Sequence, residues 1–166
     1  MMKPSLISAV ADTGYLVTAP DPLQVYRALG CSRQWRAFLL VMAEEFASAL
    51  QPSELGMLMA RIGKRFARQY PLSECSSLDE VVKAANRVWL DSDWGCCSMS
   101  ESQDAVLIQH VGSPLHLAVG ADWTDCFLQG VYEGWFRQQG MPAGLVVVTA
   151  APVSADQRVF RLVREA

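Results

Sequence analysis

Two stretches of this chain carry small residues at helical spacing inside patterns that are otherwise strongly apolar. Between Glu54 and Tyr70, Leu55, Leu58, Met59, Ile62 and Phe66 recur every three or four residues, as one face of an α-helix requires. A second stripe runs beside it: Gly56, Ala60, Gly63 and Ala67. Between Asp122 and Gln139, Cys126, Gly130 and Gly134 stand four apart, next to Phe127, Val131 and Trp135. A glycine inside a helix costs about 1 kcal/mol relative to alanine, so each stripe needs an offsetting contact, and close approach of another backbone supplies one. Hydrophobic residues make up 51% of the chain and charged residues only 19%, which leaves apolar surface to hide against a partner as well as in a core. Gly56, Ala60, Gly63, Ala67, Gly130, Gly134 and Trp135 are therefore expected to form an interface between copies of the chain.

The remaining elements follow from their punctuation. Residues 1–20 lack a sustained period and read as an N-terminal arm; residues 21–166 read as one domain, a comfortable size for a single core. Asp21-Pro22 opens a short helix that Gly30 ends. A longer helix from about Ser32 to Leu50 is apolar over most of its circumference, which makes it central to the fold or shared with a second subunit. Ser77 with Glu80 forms a capping box for a helix ending near Leu90. Cys96–Glu101 and Ala105–Val111 flank a short polar turn and predict a hairpin. Gly112–Gly120 reads as a connector with a short extended piece, and Leu145–Thr149 with Arg158–Val163 as a second hairpin. The order gives an α+β fold: N-terminal helices, β-hairpin, helix, β-hairpin, with a four-stranded antiparallel sheet packed by helices.

The residues exclude more chemistry than they propose. A net charge of −3 argues against sequence-blind nucleic-acid binding. The apolar run Leu6–Ala11 is shorter than the roughly 7–15 residues of an export signal, and no run approaches the ~18–20 residues of a membrane span. Five cysteines without C-x-x-C spacing predict core filling in a reducing compartment rather than a disulfide framework or a thiolate metal site. No catalytic constellation, phosphate loop or metal motif is present, so neither cofactor nor metal is expected. His110 reads as a surface or edge histidine. Arg61, Lys64, Arg65 and Arg68 read as a solvated face. The strongest candidate for ligand contact is the cluster Trp89, Asp91, Asp93 and Trp94, because indole faces beside carboxylates suit sugars; helix termination also accounts for these residues. Asp122 and Asp125 read as caps.

The Trp94-Gly95 junction, the strand Asp104–Val111 and the segment Phe127-Leu-Gln-Gly-Val-Tyr-Glu-Gly-Trp135, taken in order, resemble the D subunit of bacterial cellulose synthase. The resemblance covers Arg33 to Val163. It implies a non-enzymatic accessory subunit that forms a ring-like octamer, a tetramer of dimers, and guides nascent β-1,4-glucan chains beside other synthase subunits. It also implies that the N-terminal arm, here Lys3, Pro4, Ser5 and Leu6, contacts glucan; Trp94 is expected to join that contact because of its place in the indole–carboxylate cluster. The sequence places such a subunit on the cytoplasmic side of the inner membrane, although the family has been described as periplasmic. The same element order is similar to vinyl-reductase-like small-molecule-sensing domains and to tethering subunits of vesicle-transport particles, which is the alternative reading.

Overall fold

The computed structural model describes residues 30–154 and 156–165. The expected arm, the helix after Asp21, and Lys3, Pro4, Ser5 and Leu6 lie outside the described residues. Three helices come first: α1 (Arg33–Ala49), α2 (Pro52–Gln69) and α3 (Leu78–Asp91). Strands β1 (Cys96–Glu101) and β2 (Val106–Val111) follow, then a short α4 (Pro114–Val119), a 3-10 turn Asp122–Thr124, and α5 (Asp125–Gln138). The hairpin β3 (Leu145–Ser154) and β4 (Gln157–Arg164) closes the fold. The four strands form one antiparallel sheet in the order β1-β2-β4-β3, so the expected α+β architecture is the observed one.

Local chemistry explains the boundaries. Ser32 caps α1 by accepting from the Trp35 amide. Pro52 starts α2, where Glu54 accepts from the Gln51 amide at 2.8 Å. Ser77 accepts from the Glu80 amide at 3.3 Å, while the Glu80 carboxylate reaches back to the Ser76 amide at 2.7 Å. The connector expected to contain a short extended piece holds a short helix instead. Pro114 presets its first turn and Gly120, at φ 71°, ends it in the left-handed conformation.

The core lies between the sheet and α2, α3 and α5. Inward strand positions follow the two-residue period: Ile108 and His110 on β2, Arg158, Phe160 and Leu162 on β4, and Val147 on β3 are all buried. The Asn86 side chain of α3 pins β1 by accepting from the Cys97 amide at 2.7 Å and donating to its carbonyl at 2.8 Å. Against these pack Trp89, Tyr132 and Trp135, each almost fully buried. The opposite sheet face carries Leu107, Gln109, Val146, Val148, Arg161 and Val163, and leaves Val111 and Val148 exposed. At the free edge, β3 contains Pro152 and an irregularity between Ala150 and Ser154.

Helix α1 is attached differently. Only Ala43 on it is fully buried. Leu39 and Phe46 are half-buried, and α4 is its main neighbour. Trp35, Phe38 and Val41 are 61%, 56% and 66% exposed.

Candidate functional site

The small-residue stripes do meet another backbone, but it belongs to the same chain. Helix α2 crosses α5 more intimately than any other pair of helices packs. A Cβ built on Gly63 would collide with the Phe127 carbonyl and stand 2.9 Å from the Val131 nitrogen. One built on Gly130 would collide with the Ala60 carbonyl and stand 2.9 Å from its Cα. One built on Gly134 would stand 2.6 Å from the Ala67 Cβ, and one on Gly56 would stand 3.2 Å from the Cys126 Sγ. Ala67 and Trp135 are buried, and the Trp135 indole donates to the Tyr70 carbonyl at 2.8 Å. The close backbone approach expected of Gly56, Ala60, Gly63, Ala67, Gly130, Gly134 and Trp135 at a second copy is thus found within the chain, where the two notched stripes interlock with each other.

His110 is the second correction. It is completely buried, not at an edge. Its Nε2 lies 2.8 Å from the Trp94 carbonyl, which can only accept, so Nε2 carries the proton. The Nδ1 atom then accepts from the Tyr132 hydroxyl at 2.6 Å. Burial drives the His110 pKa down to about 4, so the neutral form is the native one. Cys97, hydrogen-bonded to Tyr132, is pushed up to about 11, chiefly by burial, and stays an inert thiol. Strand parity could have revealed His110: it follows Ile108 by two residues and must share that residue's inward face.

A buried ion pair was also missed. Asp125 and Asp122 cap nothing through their side chains. The Asp125 Oδ2 instead accepts from Arg158 Nε at 2.9 Å and Nη2 at 2.6 Å. Arg158 Nη1 donates to His116 Nε2 at 3.0 Å, which leaves the other ring nitrogen facing the Asp125 Oδ1 at 3.3 Å. This knot ties α4, α5 and β4 together. Arg158 shares parity with Phe160 and Leu162, and that was the available signal.

Of the residues expected to contact a ligand, Trp89 is core. Its ring stacks on Phe66 at 5.6 Å and tilts against Trp135 at 4.8 Å. Trp94 is half-buried, with its ring tilted on Phe127 at 4.6 Å and its carbonyl held by His110. It lines a groove of about 530 Å³ together with Trp35, Leu39, Asp93 and Pro114. Asp93 adopts a positive φ of 56°, the one non-glycine to do so among the described residues; it is exposed, as is Asp91. The structure therefore joins Trp94 and Asp93 to Trp35, a pairing the sequence did not suggest. Among the described residues no group of three or more His, Cys, Asp or Glu side chains could hold a metal ion. No described helix is long and apolar enough to cross a membrane.

A sheet flanked by a notched helix pair is a fold that a solved protein shares. The chain is similar to trafficking protein particle complex subunit 3 from Naegleria fowleri, solved covalently bound to palmitic acid. The identity is 12% and the TM-score 0.54, over 86% of this chain and 97% of that one. At that distance the likeness concerns the fold alone. The family is given by sequence: the profile of the cellulose synthase D subunit matches residues 22–163, and the chain belongs to that family. No curated protein matches it.

Proposed function

We propose that this protein is a non-catalytic accessory subunit of a bacterial cellulose synthase that assembles into a ring of dimers and organises nascent β-1,4-glucan chains, working on the cytoplasmic side of the inner membrane. Family membership supports the synthase association. The observation that carries the assembly is the outer side of α1, where Phe38 and Val41 are more than half exposed on a helix already seated on α4. A tetramer of dimers needs two different contact surfaces on each copy. The face of the sheet away from the helices, where Val111 and Val148 are exposed beside Gln109 and Arg161, offers a second surface. Glucan contact is assigned to the Trp35–Trp94 groove, where indole faces and the Asp93 carboxylate stand together, as a sugar ring requires. The N-terminal residues Lys3, Pro4, Ser5 and Leu6 belong to this proposal only through the family resemblance.

The alternative is a small-molecule-sensing or complex-assembly domain, and the fold likeness to a trafficking-particle subunit favours it. Against it, the space between the sheet and the helices is filled by Trp89, Tyr132, Trp135 and Phe160.

Light scattering coupled to size exclusion tests the assembly. Eight copies of 18.3 kDa give about 146 kDa, and Phe38→Glu with Val41→Glu should reduce this to smaller species that keep their far-UV circular dichroism. A monomeric wild type at micromolar concentration would overturn the reading.

A further inference from the structure

The solvent-facing stripe of α2 is not an ordinary mixed-charge surface. Arg61, Arg65 and Arg68 lie along one side of the helix at spacings of four and three, all exposed. None forms a hydrogen bond or ion pair within the described residues. Lys64 flanks them and reaches Glu133 at 2.9 Å. Exposed Met57 and Ile62 sit on the same side, and Leu58, Ile62 and the four cations together line a shallow trough. Helix α2 holds four of the chain's 14 Lys and Arg and one of its 17 Asp and Glu. It therefore carries +3 while the rest of the chain carries −6. Positive charge is concentrated on one helix of an otherwise acidic molecule, in a straight row interleaved with apolar side chains.

We infer that the α2 face docks on a membrane surface rich in anionic phospholipid. Charge complementarity selects that occupant. A straight cationic stripe on the outside of a helix matches a flat anionic plane, and each Lys or Arg held at such a surface adds about fivefold to binding. Met57 and Ile62 supply apolar contact at headgroup depth. The acidic remainder of the chain is repelled by the same surface, which fixes one orientation with α2 toward the lipid.

The test uses the purified full-length protein and liposomes of phosphatidylcholine with about 30% phosphatidylglycerol, in a flotation assay at an ionic strength of about 0.1 M. The wild type should float with these vesicles and not with pure phosphatidylcholine. The triple variant R61Q/R65Q/R68Q should bind about a hundredfold more weakly, as three fivefold losses require. A triple variant of equal net charge, R33Q/R87Q/R164Q, replaces exposed arginines elsewhere and should bind as the wild type does. The inference is overturned if the wild type does not distinguish the two lipid compositions, or if the two triple variants lose binding equally. Failure to bind because a neighbouring subunit or an acidic protein covers α2 would count as the first of these outcomes.

Discussion

Gly130→Ala places a methyl group against the Ala60 backbone, 2.8 Å from its carbonyl carbon and 2.9 Å from its Cα. Ordinary contact begins at 3.4–4 Å, so α2 and α5 must separate by something on the order of 1 Å at their crossing, because backbone cannot swing aside as a side chain would. Overpacking of this kind costs about 1–3 kcal/mol. Loss of dispersion along a seam forced apart adds to it, while removing a helical glycine returns up to about 1 kcal/mol. The expected net loss is about 2 kcal/mol, equivalent to a fall of roughly 1 M in the urea midpoint at an m-value of about 2 kcal/mol/M. Gly144→Ala is the control, since a Cβ there meets nothing within 4 Å and should leave stability within about 0.5 kcal/mol. Gly63→Ala strains the same seam, so the double variant should lose less than the sum of the two single losses. Measured at several protein concentrations, the Gly130→Ala loss should be constant, because the contact lies within one chain. A variant as stable as the wild type, or a loss that disappears as concentration rises, would refute the intrachain packing of the stripes.

Two further outcomes follow from the buried polar groups. His110 has a folded pKa of about 4 against an ordinary value near 6.5, so the unfolded chain binds the extra proton first. Its contribution to stability is intact above about pH 6.5 and fades as pH falls toward 4, by about 3 kcal/mol in all; in urea melts across that range, His110→Gln should flatten the slope. Asp125→Asn should leave Arg158 buried without its counter-charge and cost about 3–5 kcal/mol, while adding Arg158→Met should restore part of the loss, as a double-mutant thermal-denaturation cycle would reveal.

Much of this architecture was legible because periodicity and punctuation agree. Leu55 to Phe66 announce a helix, Ser77 and Glu80 announce where the next begins, and the polar turn after Glu101 announces a hairpin. What stayed hidden was partnership. A glycine stripe says that a backbone comes close, but not whose backbone it is. Only the matching four-residue spacings of Gly130–Gly134 and Gly63–Ala67 hinted that each notch fits the other. At His110 and Arg158 a polar identity masked an inward parity. Their cost of burial is met by Tyr132 and Asp125, residues 22 and 33 positions away in the chain, beyond the reach of any local pattern. The Trp35–Trp94 groove was illegible for a similar reason, since its walls come from α1 and from the turn after α3.

The irregular end of β3 limits how copies of this chain can grow together. A proline withholds an amide from any strand that would lay itself alongside, and a register shift bends the ladder out of line. Indefinite stacking through backbone pairing is therefore blocked on that side of the sheet. Side-chain surfaces remain the available means of joining, and they can close on themselves, so the fold is biased toward particles of finite size rather than fibres.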